Sequence, residues 1–157
     1  MSLEGPGALP LDRIWIERHI PHRGRMMLLD EVLEWDARRA RCRSTTHRAP
    51  DHPLRARGRL GAASGIEYAA QTMAVHGALC AGAGAPRPEA GFLASLRGVR
   101  FRVPRLDDIT GDLESSVTLV ASDGATALYD FELRSDARPL ASGRASVVFD
   151  ASKRWQP

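Results

Sequence analysis

Glu67 stands nearly alone as a carboxylate in the most apolar stretch of the chain. Gly61 to Gly84 reads GAASGIEYAAQTMAVHGALCAGAG, and its ionisable residues are Glu67, Tyr68, His76 and Cys80. Desolvation raises the pKa of a carboxyl in apolar surroundings, so Glu67 is expected to hold a proton near neutral pH and to serve as a catalytic acid. A competing role is local: Ser64-Gly65-Ile66-Glu67 has capping-box spacing, in which the glutamate only bonds the N-cap amide. His52, fifteen residues earlier and beside Asp51, suits a general base near neutral pH, or else a solvated loop position. His47 is the reserve candidate for that base. Gln71, one helical turn after Glu67, is placed to orient its carboxyl or to bond buried backbone. His22 sits where a cationic ring suits a helix end, and His76 reads as a satisfied core histidine.

These residues need a scaffold. Residues 61–84 read as one helix that is apolar on nearly every side, through Ile66, Met73, Val75, Leu79 and many alanines. Such a helix must be wrapped by other structure or lie in a membrane. Glu67, Gln71 and His76 interrupt it, and a span needs about 18 apolar residues in a row, so wrapping is expected. Before it, Leu11 to Ile20 has helical spacing and stops at Pro21. Residues 26–35, MMLLDEVLEW, read as a mostly buried strand. Arg39 to Thr46 alternates with period two, a half-buried strand paired back on the first. Residues 47–60 form a loop, and residues 84–91 form another. Strands follow at FLASLRGVRFRV, LESSVTLVAS, TALYDFELRS and PLASGRASVVFD. Asp123-Gly124 and Asp136-Ala137 mark hairpin turns. The expected fold class is α+β, a single antiparallel sheet with one long helix on its concave face.

Composition bounds the function. A chain of 157 residues suits one domain; residues 1–10 and 151–157 read as loose tails. The net charge is +3, and Lys153 is the lone lysine among 22 basic residues. No basic helix, zinc spacing or aromatic platform points to nucleic acid. Cys42 and Cys80 fall in apparent core positions, as free thiols of a reducing compartment. With no export signal at the N-terminus, a cytoplasmic protein is expected, outside the membrane.

The order of motifs resembles a known family. Ile20-Pro21-His22-Arg23 followed by Met27-Leu28-Leu29-Asp30 is similar to the opening of the 3-hydroxyacyl-[acyl-carrier-protein] dehydratases, in particular their divergent aryl-polyene-type members. Glu67-Tyr68-Ala69-Ala70-Gln71 resembles their Glu-x-x-Ala-Gln helix motif. Val99 to Pro104 with Leu106-Asp107-Asp108 resembles the next strand and its turn. Residues 11–150 carry the resemblance. It departs at Asp51-His52-Pro53-Leu54, where the family has a Gly-His-Phe-Pro-Gly run, at Gly61-Ala62-Ala63, where the family has Pro-Gly, and at Asp107, which replaces a turn glycine.

The resemblance implies the hotdog fold and a dehydratase. His52 would take the α-proton of a 3-hydroxyacyl thioester, Glu67 would protonate the leaving hydroxyl, and a trans-2-enoyl thioester would form. Amides of Gly61, Ala62 and Ala63 would hold the enolate oxygen. Read from the residues themselves, the Arg55, Arg57 and Arg59 cluster suits a grip on a phosphopantetheine phosphate or an acidic carrier protein, or else a solvated loop. No metal or redox cofactor is implied. The partners expected are an acyl carrier protein or CoA thioester and a second copy of the chain, with His52 facing Glu67 across a homodimer or larger homo-oligomer. The alternatives are a hotdog acyl thioesterase and a non-catalytic, acyl-binding partner subunit.

Overall fold

The computed structural model of the protein describes residues 8–85 and 91–148. Residues 1–7 of the tail expected at 1–10, the tail expected at 151–157, and part of the loop expected at 84–91 lie outside these residues. Helix α1 spans Arg13–His19 and helix α2 spans Gly65–Ala81. The strands are β1 (Leu11–Asp12), β2 (Glu31–Trp35), β3 (Arg39–Ser44), β4 (Phe92–Phe101), β5 (Leu113–Ser122), β6 (Thr126–Ser135) and β7 (Arg138–Val148). They form one antiparallel sheet in the order β1-β2-β3-β5-β6-β7-β4. Helix α2 packs on β3, β5, β6 and β7. This is the hotdog arrangement, α+β, with the long helix held by the sheet. Among the described residues no helix is long and apolar enough to cross a membrane.

Local chemistry accounts for the elements. Asp12 caps α1 by accepting from the Trp15 N–H at 2.9 Å. At the other end of α1, Arg23 donates to the carbonyls of Glu17, Ile20 and His22. The cationic helix-end role expected of His22 therefore falls to Arg23. Asp123 closes the β5–β6 turn by accepting from the amides of Ala125 and Thr126, with Gly124 at φ +88°. In α2, Gly65 lets the helix approach β6: a Cβ there would lie 2.7 Å from Leu133 Cδ2.

Three expectations need correction. The helix predicted over 61–84 is shorter, because a 3-10 turn at Ala62–Ser64 precedes it and Gly82, at φ +87°, ends it. The strand predicted over 26–35 starts only at Glu31. A 3-10 turn ends at Met26, and Leu28 bonds side chains instead of a neighbouring strand. Cys80 is exposed, whereas Cys42 is buried as expected. Strand β4, expected at this place, is the sheet edge, and Phe92, Leu93, Leu96 and Phe101 on it are all exposed.

The chain into α2 is fixed by Asp107. Its carboxylate is only 6% exposed and accepts from the Leu60 N–H at 2.9 Å and from the Arg105 guanidinium, with Arg55 also near. The Arg105 guanidinium holds this carboxyl well below the usual carboxylate range. Leu106 N–H to Leu60 O and Ala62 N–H to Pro104 O complete the lacing. Asp107→Ala leaves the Leu60 amide unmatched and should lower stability by about 1–3 kcal/mol in urea denaturation. An unchanged midpoint would show that the lacing does not depend on this carboxylate.

Candidate active site

Glu67 lies in the first turn of α2, and its side chain is turned away from the helix N-cap. Its Oε1 lies 3.2 Å from His22 Nε2 and accepts from Gln71 Nε2 at 3.1 Å. Ser64 makes no side-chain cap bond, so the capping-box role is not the one adopted. Gln71 is fully buried, and each end of its amide has work. Oε1 accepts from the Leu28 N–H at 2.9 Å, while Nε2 donates to Met26 O at 2.7 Å as well as to Glu67. A flipped amide would set its NH2 against the Leu28 N–H, so the orientation is determined.

A cavity of about 710 Å³ opens beside this group. Glu67 and His22 line it together with Arg18 and His19 from the end of α1. Ala70, Ala74, Gly77 and Ala78 give it a smooth floor along α2, and Cys80 and Tyr129 stand further along it. Small residues at these helical spacings keep that side of the helix clear for an extended apolar chain.

The electrostatics reverse one expectation. Burial pushes the Glu67 carboxyl up, but hydrogen bonds from His22 and Gln71, with the charge of His22, outweigh it and leave the pKa below the ordinary 4.5. Glu67 is therefore a carboxylate at neutral pH, not a carboxylic acid poised to donate. The reason is chemical: two donors converge on one oxygen and favour the charged form. On His22, Nδ1 is shielded from solvent and has no hydrogen-bond partner among the described residues.

His52 is brought elsewhere. Its ring is buried, with Nδ1 accepting from the Leu54 N–H at 3.1 Å and Nε2 3.0 Å from the Tyr68 hydroxyl. It does not line the cavity. His47 is fully buried, with Nε2 3.0 Å from Ile109 O. His76 is a satisfied core histidine, as expected, between Tyr129 Oη at 2.8 Å and Asp36 O at 3.0 Å. The Ala62 amide, expected to face an enolate, is spent on Pro104 O, and Gly61, Ala62 and Ala63 do not line the cavity. Arg55 staples its own loop through the carbonyls of Ala49, Gly58 and Arg48, so it is not free to grip a phosphate. Arg57 and Arg59 are exposed. Among the described residues no group of three His, Cys, Asp or Glu side chains is placed to hold a metal ion.

Residues 14–154 match the ApeP-like family model, described as ApeP dehydratase. This chain belongs to the ApeP-like dehydratase family. Among solved structures, the dehydratase heterocomplex ApeI:P from Xenorhabdus doucetiae superposes with a TM-score of 0.80 at 23% identity, covering 94% of this chain and 95% of that one. Zebra fish thioesterase superfamily member 2 superposes at 0.56 with 14% identity, over 83% and 88% of the two chains. The E. coli PaaI protein from the phenylacetic acid degradation operon gives 0.55 at 14% identity, over 74% and 80%. These likenesses are of fold. No curated protein matches the chain in sequence.

The ApeP-like chain holds three buried histidines, His47, His52 and His76, and burial pushes each below the ordinary 6.5. Folded, they are neutral; unfolded, they take up protons once the pH drops below 6.5. Protons bound preferentially by the unfolded chain favour it, so stability is full above that pH and falls as the pH is lowered through it. Urea midpoints should accordingly be lower at about pH 5 than at about pH 8. Equal midpoints would show that these rings are protonated in the fold.

Proposed function

We propose that this chain removes water from a 3-hydroxyacyl thioester to give a trans-2-enoyl thioester, with Glu67 and His22 as its acid–base pair. The observation that carries the reading is the Glu67 carboxylate, held by His22 and Gln71 at the side of an apolar cavity. Membership in a dehydratase family supports the reaction class.

The two groups divide the proton work as follows. The Glu67 carboxylate takes the α-proton, and the electron pair moves into the thioester as an enolate. The protonated His22 ring gives its proton to the 3-hydroxyl, which leaves as water as the double bond forms. Glu67 is then a carboxylic acid and His22 a neutral ring, and a proton passing along their 3.2 Å contact restores the pair. Gln71 holds Oε1 in place throughout. The acyl tail follows the alanine and glycine floor of α2. Arg18 at the cavity, with exposed Arg57 and Arg59, offers positive charge to the phosphate of CoA or to an acidic acyl carrier protein.

A second copy fits the bare edge. Strand β4 presents ten residues of backbone and four exposed large apolar side chains, a surface that natural sheets pair or cover. We place the homodimer contact there. Leu96→Asp should then shift the chain toward a monomer in sedimentation, and an unchanged oligomeric state would place the contact elsewhere.

Purified protein should hydrate crotonyl-CoA, the reverse reaction, and Glu67→Gln or His22→Ala should each lower kcat at least about 100-fold, the scale of a lost acid or base. Free thiol released from acyl-CoA without hydration would instead favour a thioesterase. No turnover of either kind by the pure chain would favour an acyl-binding partner subunit.

A further inference from the structure

We propose that His52 is a positioning residue, which acts on Glu67 through a one-way chain of hydrogen bonds ending at Gln71. The inference rests on the reading above only in taking Glu67 as a reacting group.

The direction of every bond in the chain is fixed. The Leu54 N–H can only donate, so His52 Nδ1 accepts and the ring carries its proton on Nε2. That proton goes to Tyr68 Oη at 3.0 Å. The Tyr68 hydroxyl must then donate onward, to Thr46 Oγ1 at 2.8 Å. Thr46 in turn donates to Leu28 O at 2.7 Å. On the other side of the same residue, the Leu28 N–H donates to Gln71 Oε1 at 2.9 Å, and Gln71 Nε2 reaches Glu67. Leu28 is thereby gripped at both backbone polar groups, one by each arm of the network.

Position 28 lies in the extended run between the 3-10 turn and β2, where no neighbouring strand supplies the ladder bonds. Side chains replace that ladder. His52, Tyr68 and Gln71 are buried, so a broken link leaves a polar group without water to replace its partner. A ring spent in this way on both nitrogens, away from the cavity, has no free atom for substrate. Its effect on the reaction is to set where Gln71, and with it Oε1 of Glu67, is held.

The test uses the full chain with His52→Gln, Tyr68→Phe and Glu67→Gln, read by crotonyl-CoA hydration and by the NMR signal of the Gln71 side-chain amide. In His52→Gln the new amide can donate to Tyr68 in place of the ring, so kcat should stay within about threefold and the pH profile should keep its shape. In Tyr68→Phe, kcat should fall roughly tenfold or more with KM little changed, as for a reacting group displaced by a fraction of an ångström. The Gln71 amide signal should move in Tyr68→Phe and hold still in His52→Gln. Should Tyr68→Phe fail to fold, Thr46→Val breaks the next link and reads the same way. The proposal is overturned if His52→Gln is as inactive as Glu67→Gln while the Gln71 signal is unmoved, because His52 then meets the substrate itself. It is overturned equally if breaking the chain at Tyr68 or Thr46 leaves both kcat and the Gln71 signal as they were. A wild-type chain without hydration activity would sink the functional reading alone, and the Gln71 signal would still decide this one.

Discussion

The buried amide of Gln71 is the contact on which the site depends. It joins a backbone carbonyl at Met26, a backbone amide at Leu28 and the Glu67 carboxylate, and each of its polar atoms has a partner. Unmatched groups at this depth are costly, so the three partners cannot drift independently. Before β2, Met26 and Leu28 bond Gln71 in place of a neighbouring strand. Helix α2 is thereby registered against the end of α1, and His22 is delivered to Glu67.

The same contact sets the chemistry. An isolated carboxyl beside an apolar cavity would hold its proton. Here burial is opposed by two converging donors, and the donors win. The consequence is a carboxylate held in its charged form 3.2 Å from the His22 ring. The favoured form of Glu67 differs from the one that burial alone implies, because partners, not only solvent exclusion, decide it.

Much of the sheet was legible in the sequence because its signals are local. Period-two alternation marked β3, the turns at Asp123-Gly124 and Asp136-Ala137 separated β5 to β7, and Asp123 does bond the next amides. The wrapped helix was legible from the near absence of polar residues between 61 and 84. The irregular stretch around Leu28 was not, since an apolar run reads as a strand whether an amide in it meets another strand or a glutamine side chain. Cys80 resembled a core residue because hydropathy does not say which face of α2 borders a cavity. The exposure of β4 was hidden for a related reason: alternation reports a pleat and says nothing of whether a neighbour covers it.

The site itself was half legible. Glu67 and Gln71 were singled out by their spacing on one helical face, and they do meet. His52, expected beside Glu67, lies against Tyr68, and His22 is the ring that meets Glu67, because spacing along the chain does not reveal where a ring turns. His52 turns inward to Tyr68, and Pro21 ends α1 so that the next residue, His22, reaches Glu67. The Pro21-His22-Arg23 turn was the available signal, although its helix-end role belongs to Arg23.

The most direct measurement is the ionisation of Glu67 in the folded chain, followed by its side-chain carboxyl carbon signal in NMR and assigned with Glu67→Gln. Converging donors should keep it ionised across the range from about pH 8 down to about pH 5. A titration midpoint inside that range would mean that burial outweighs His22 and Gln71, and it would contradict a carboxylate base at the centre of the site.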